Sequence, residues 1–346
     1  MKIALCTPWM VKCGIYTYSR DLAYALAQEG VEVCIIRFPR FGAKNAEILQ
    51  NIAYRFPKDA DIFVISHEYG LFQGFDNIFY RTLRSIHPNI PICTIMHAVG
   101  QYGLDAVIAE ASSRVIVHNE FCRKNFGFPS TIIPHGTKPV KCPPIEECKK
   151  TYGVNPKIPI VGYVGFISNY KGIETIIEAV SKIPNVALVI GGGWHTDAEN
   201  EYIANLKELS SKKLGGRSQW LGFIPDDKLA VVYGSFDLVM YPSRFSTESG
   251  ALLMAISHGK AVIASKTLPF KEKEKKGVLI TFENVDDLVE KIKFLLNDNV
   301  ARHKLEEAAM KYAESTSWDK VAKQHIALYE EVLSGKALVD KPVLPA

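Results

Sequence analysis

Short apolar runs rich in β-branched residues recur along this chain, each separated from the next by a segment with helical periodicity, and the whole series occurs twice. In the first half the runs are Lys2–Cys6, Val31–Arg37, Asp61–Ser66, Ile90–Met96, Arg114–Val117 and Thr131–Ile133. Between the first two lies Tyr18–Gln28, where Leu22, Ala25 and Leu26 share a helical face and Gly30 is placed to end the helix. The segment KPVKCPPIEECKKTYGVNPKIP then breaks the series with prolines and charges, apart from a short helical stretch at Ile145–Tyr152. A second series follows: strands Ile158–Val164, Val186–Ile190, Gln219–Leu221, Asp237–Tyr241, Ala261–Ala264 and Val278–Ile280. Its intervening helices are Ile173–Ile183, Glu199–Lys213, Lys228–Gly234 and Ala251–His258, and three more helices close the chain. Fully apolar short strands alternating with helices require parallel sheets covered on both faces. The fold class is therefore α/β, with two Rossmann-like doubly wound domains facing a cleft. The expected domains are residues 1–150 and 151–315, followed by a terminal helix and tail over 316–346.

A chain of 346 residues suits two domains, and 47% apolar with 23% charged residues is a globular composition. The net charge of +4 is too small for a nucleic-acid footprint and fits an anionic ligand or membrane surface. The seven cysteines are odd in number and contain no C-x-x-C pair, which predicts buried free thiols in a reducing compartment. The opening MKIALCTPW has too short an apolar run for a signal peptide, and no run reaches the length of a membrane span. The expectation is a cytoplasmic protein, with peripheral membrane association left open. KEKEKK at 271–276 reads as a solvated charged turn.

Ligands of open α/β sheets bind beyond the carboxyl ends of the strands, so the residues at the strand exits carry the functional information. In the first half, Gly14 stands where the loop after strand one meets a helix start, a place for close approach by an anionic group. Four of the next five strand exits carry a histidine: His67 (followed by Glu68), His97, His118 and His135. They lack zinc spacing, and no metal site is expected. With Glu68 they are candidates for the acceptor side of the cleft.

In the second half, GYVGFISNYKGIETIIEAV leads from a strand through Gly165, Ser168 and Asn169 to Lys171 and a helix whose Ile173, Ile176, Ile177 and Val180 form one apolar face. A lysine beside a helix N-terminus can clamp a diphosphate, although the P-loop spacing is absent. A second helix start, YPSRFSTESGALLMAISHGK, places the cap-type residues Ser246, Thr247 and Ser249 and then Gly250 ahead of a helix apolar nearly all round. Glu248 there either complements the helix dipole or accepts from sugar hydroxyls.

Taken together these segments resemble the retaining GT-B glycosyltransferases of family 4 over almost the whole chain. VGFISNYKGIETIIEA resembles that family's phosphate segment, VALVIGGGW its glycine-turn strand, and WLGFIPDDKL its base-contacting segment. YPSRFSTESGALLMAISHGKAVIAS resembles the P-S-x-x-E block, and STSWDKVAKQHIALYEEVL the helix that returns to the first domain. The resemblance implies that Lys171 holds the donor diphosphate, with Gly14, Ser249 and Gly250 as backbone donors. Phe223 and Ile224 would flank the base, and His97 would face the transferring sugar or its phosphate. Two positions depart from the pattern. The usual arginine is Phe166, and the paired glutamates fall on Ser246 and Met254, with Glu248 close enough to replace the first. Arg244 and Lys266 are further cations of undetermined direction.

The implied activity is transfer of a hexose-type sugar from a UDP- or GDP-sugar to a glycan, lipid or small-molecule acceptor, with retention of configuration and with neither cofactor nor metal. His97, Lys171 and Glu248 are the expected catalytic groups. The partners are then a nucleotide-sugar donor and an unidentified acceptor, with no nucleic acid. A non-catalytic nucleotide-sugar-binding subunit, an epimerase and a phosphorylase on the same plan remain open at this stage.

Overall fold

A computed structural model describes residues 1–39, 42–151, 155–193 and 201–335. The chain divides into two compact units, one formed by Met1–Gly136 with the segment from Thr316 onward, the other by Thr137–Ser315. Each holds one six-stranded sheet whose pairings are all parallel.

The first sheet comprises β1 (Lys2–Pro8), β2 (Glu32–Phe38), β3 (Ile62–His67), β4 (Ile92–Met96), β5 (Arg114–Val117) and β6 (Thr131–Ile132), in the order β2-β1-β3-β4-β5-β6. The second comprises β7 (Ile160–Val164), β8 (Ala187–Gly191), β9 (Ser218–Gly222), β10 (Leu238–Tyr241), β11 (Val262–Ser265) and β12 (Ile280–Phe282), in the order β12-β11-β10-β7-β8-β9. Winding reverses beside β1 in the first sheet and between β7 and β10 in the second, and such reversals open crevices at the strand exits. The central strands β3, β4, β7 and β10 are buried along their whole length, in keeping with their largely apolar sequences, and the polar Ser66, His67 and Thr94 are buried with them. At the outer strand β9 the register slips, so that Ile190 faces Trp220 while Gly191 faces Gly222.

The helices cover these sheets with the faces the sequence marks. Ile173, Ile176, Ile177 and Val180 of the Ile173–Ser181 helix are all fully buried. The Gly250–Ser257 helix buries Leu252, Leu253, Ala255 and Ile256. The helix expected over Tyr18–Gln28 already begins at Gly14, and the final helix runs Trp318–Leu333. The latter packs on the first unit, where Val321, Ala322, Leu328 and Tyr329 join Tyr18, Leu22 and Leu26 in one core.

Three expectations shift. The break expected after residue 150 falls after Gly136, because the proline-rich stretch is bonded into the second unit. Val140 N donates to Ser257 O at 2.8 Å, and buried Lys149 pairs with Asp237 at 2.8 Å while also donating to the carbonyls of Pro156 and Ile158. The KEKEKK run is part of a helix, Leu268–Lys275, rather than a solvated turn, and it buries Phe270 and Lys273 one turn apart. That helix closes through Gly277 N to Glu274 O and Val278 N to Lys273 O, so the strand expected from Val278 starts at Ile280. The expected helix start at Glu199, the helix end at Tyr152, Trp194 of the glycine turn and the tail beyond Gly335 lie outside the described residues. All seven cysteines are free thiols: Cys6, Cys93, Cys122 and Cys148 are buried as expected, whereas Cys13, Cys34 and Cys142 are half-buried.

Candidate functional site

In the second unit the site is built where β7 and β10 diverge. Past β7 the chain crosses the exit of β8, with Gly165 N donating to Gly191 O and Ile167 N to Gly193 O, both at 3.0 Å. Ser168 is buried there. Asn169–Lys171 form a single 3₁₀ turn, and Gly172 is the N-cap of the Ile173–Ser181 helix, at φ +66°. A side chain at Gly172 would be strained by that φ, and its Cβ would lie 2.6 Å from Pro242 O, so only glycine lets the turn rest against the exit of β10. Lys171 extends over the ring of exposed Tyr170, 4.6 Å from its centroid.

Arg244 fixes this turn from the β10 side. Its backbone N donates to Tyr170 O at 2.8 Å, its guanidinium donates to Asn169 Oδ1 at 2.5 Å, and it pairs with Glu174, which also accepts from Tyr202. Arg244 is thus engaged with protein partners, and Lys266 is paired with Glu283.

The second helix start follows β10. Ser249 is its N-cap, its side chain accepting from Leu252 N at 3.3 Å, and Gly250 is exposed at the first helical position. The first-turn N–H groups of a helix have no partner within it and attract anions. Glu248 is engaged by protein partners at the helix start. Its carboxylate is buried, each oxygen lies 2.8 Å from Lys273 Nζ, and Oε1 also accepts from Ser249 N at 2.9 Å. Burial acts most strongly, to lower the pKa of the Lys273 ammonium, but the charge and hydrogen bond of Glu248 together with Tyr312 and Glu272 outweigh it, leaving Lys273 above its ordinary value. The structure therefore turns Glu248 inward onto a lysine. Ser246 is buried and Met254 packs against the core, so neither position supplies a carboxylate. Past β9, Phe223 is exposed and Ile224 is buried.

In the first unit the histidines separate into two groups. His67 is fully buried and hydrogen-bonded through Nε2 to Asp76 Oδ1 at 2.6 Å, with Phe72 stacked on its ring. Burial and that partner make it a core residue, which corrects its reading as an acceptor contact. Glu68, half-buried, precedes the short Tyr69–Phe72 helix. His97, His118 and His135 instead gather around Tyr18, with ring centroids 4.7, 5.2 and 4.9 Å from it. Trp318 and His325 complete the cluster from the terminal helix: the indole lies 5.2 Å from Tyr18, and His325 Nε2 is 3.4 Å from its hydroxyl. Burial lowers the pKa of His97 well below the ordinary imidazole value, and its histidine neighbours lower it further. Burial likewise holds His325 at about 3, with His118 adding to the effect. These are neutral rings at neutral pH. Gly14 starts its helix with an exposed backbone, and a Cβ there would meet nothing within 4 Å, so packing does not account for the glycine.

Residues 144–312 match the family described as glycosyl transferases, group 1. The second unit of this chain belongs to that family. Among curated relatives, the sulfoquinovosyl transferase SQD2 of Arabidopsis thaliana is 27% identical over 169 residues, which are 47% of this chain and 31% of that protein. D-inositol 3-phosphate glycosyltransferase of Corynebacterium glutamicum is 27% identical over 203 residues, 55% of this chain and 48% of that protein. The match thus spans less than half the length of either relative. Among solved structures, sucrose-phosphate synthase from Thermosynechococcus elongatus is similar with a TM-score of 0.81 at 19% identity, over 97% of this chain and all of that one. HepE of Anabaena, solved in complex with UDP-glucose, gives 0.78 at 18% identity, over 97% of this chain and all of that one. The fold is GT-B.

Several residues of the two units escaped sequence reasoning. Lys273 was hidden in a charge run, although its spacing of three from Phe270 places the two on one helical face. Tyr18, Trp318 and His325 are far from the histidine exits in sequence. The signal was present in Trp318 and His325, seven residues apart and so two turns along one face of the terminal helix. Among the described residues, no group of His, Cys, Asp or Glu could hold a metal, and no helix is long and apolar enough to cross a membrane.

Proposed function

We propose that this protein transfers a hexose-type sugar from a nucleoside-diphosphate donor, a UDP- or GDP-sugar, to a hydroxyl-bearing acceptor, with retention of configuration. One observation carries the reading: in a unit belonging to the group 1 glycosyl transferases, the Lys171 turn and the Ser249-capped helix follow β7 and β10, the strands flanking the winding reversal. Lys171 supplies a point charge to the diphosphate, and Ser249 and Gly250 supply backbone N–H groups. Charge growing on the leaving diphosphate is stabilised by groups already in place. Gly165, Ser168 and Asn169 line the approach to the diphosphate, while Phe223 and Ile224 flank the base. In the first unit Gly14 offers a backbone donor to the donor phosphate, and His97 faces the sugar. His135 holds the acceptor side with Glu68, while His118 is buried with its Nδ1 3.1 Å from Ile133 O and supports the cluster from within. A leaving phosphate oxygen takes the acceptor proton, so the scheme needs neither an enzymic base nor a metal.

The engagement of Glu248 by Lys273 favours one second reading, a subunit that binds nucleotide-sugars without turnover. Thermal shift against UDP, GDP, ADP and their sugar conjugates tests both, because a ligand that binds only the folded state raises its stability. A shift with one nucleotide, lost in Lys171→Ala, supports the donor site, and donor consumption with a panel of acceptors separates enzyme from subunit. Folded protein that shifts with no nucleotide would overturn both.

A further inference from the structure

Lys273 lies on a helix that no part of the donor scheme uses, yet it makes a two-pronged, buried pair with the one carboxylate next to the Ser249 cap. Only 4% of the Lys273 side chain and 5% of that of Glu248 are exposed, so water does little to screen either charge. We infer that Lys273 is a positioning residue of the donor site. It holds the Glu248 carboxylate in place beside the cap and neutralises it, so that the N–H groups after Ser249 can receive a diphosphate.

Glu248 immediately precedes the cap, and its Oε1 already accepts from Ser249 N at 2.9 Å. An unneutralised carboxylate at this place competes with an incoming anion for the same electropositive helix end and repels it through poorly screened space. The bidentate lysine removes both effects. Tyr312, from the Asn299–Ser315 helix, contributes to the field around the pair, as does Glu272, and burial outweighs each of them. Among the described residues this is the only lysine–glutamate pair in which both partners are at most 5% exposed. Its position beside a proposed anion site, rather than elsewhere in the core, is what a purely packing role leaves unexplained.

The inference rests on the donor-site reading above, and its test separates the two. Binding of UDP, or whichever nucleotide the thermal-shift screen identifies, is measured by calorimetry for the wild type, Lys273→Met and Glu248→Gln, with thermal unfolding of each. A packing role predicts that both variants lose stability and weaken nucleotide binding alike. The charge-positioning role predicts opposite signs: Lys273→Met, which strands the carboxylate, weakens binding by about tenfold. Glu248→Gln, which strands the lysine, binds at least as tightly as the wild type. Weakened binding in Glu248→Gln overturns the inference, even if Lys273→Met does not fold, and so does unchanged binding in folded Lys273→Met. If the wild type binds no nucleotide, the donor-site reading itself fails, which is a different result.

Discussion

The indole of Trp318 rests directly on the backbone of Gly136, and a Cβ built on that glycine would overlap its six-membered ring. Gly136 has no positive φ to explain its identity, so the requirement is space alone. The same indole touches Tyr18 and His135, which makes this contact the join between the terminal helix and the histidine cluster. Gly136→Ala is expected to displace Trp318 and to destabilise the first unit by about 1–3 kcal/mol, as overpacking does. Hydrogen exchange of the Trp318–Leu333 helix should rise while the second unit stays protected. Unchanged exchange would mean that the indole finds another seat at no cost.

The neutral imidazoles of the cluster give the first unit an acid sensitivity whose sign can be worked out. His325 titrates near 3 when folded and near 6.5 when the chain is unfolded. Between those values the unfolded state holds a proton that the folded state refuses, so stability rises with pH in this window and is fully present above it. Falling pH from 6.5 towards 3 removes about 1.4 kcal/mol per unit for each such group. His97 acts in the same direction. His325→Gln keeps hydrogen-bonding capacity towards Tyr18 and Tyr329 but cannot protonate, and should reduce the slope by about that amount between pH 4 and 6. Urea midpoints followed by tryptophan fluorescence, with Trp194 and Trp220 replaced by phenylalanine to isolate the first unit, provide the check. An equal slope in variant and wild type would remove His325 as the sensor.

His67 tests whether a histidine at a strand exit is there for a substrate or for the core. Its Nε2 bond to Asp76 joins two side chains with no exposed surface. Asp76→Ala leaves a buried imidazole without its partner and should cost about 3 kcal/mol. His67→Gln should lower stability while leaving the KM for both substrates unchanged in folded protein. A raised acceptor KM at unchanged stability would restore His67 to the substrate side.

Much of the fold was legible because parallel strands buried on both faces must be largely apolar, and because each series of strands restarts after the proline-rich break. The misplaced boundary shows what composition conceals: Lys149 reads as linker charge, but it is buried and satisfied by Asp237 and two carbonyls. The candidate site was legible where backbone geometry sets it, as at Gly172, whose positive φ and contact with Pro242 O need glycine. It was illegible where long side chains choose between partners. Nothing in the order of residues says that Glu248 turns to Lys273, that Lys266 turns to Glu283, or that Arg244 turns to Glu174.

Arg244 provides the sharpest test of how the Lys171 turn is held. It grips Asn169 and Glu174 on either side of Lys171, and its own backbone donates to Tyr170 O. More than half of its side chain is exposed, so the ion pair itself contributes little to stability. Its effect should fall on positioning, because a lysine on a single 3₁₀ turn serves a diphosphate only while that turn is fixed. Arg244→Ala is expected to leave thermal unfolding within a few degrees of the wild type and to raise the donor KM about five- to tenfold, with a smaller change in kcat. Arg244→Lys, which cannot bridge Asn169 and Glu174 at once, should recover little of the loss. The measurement is steady-state kinetics with the donor varied at saturating acceptor. Should kcat fall strongly at constant KM, Arg244 would act on the departing diphosphate in the transition state, and its hold on the turn would be secondary.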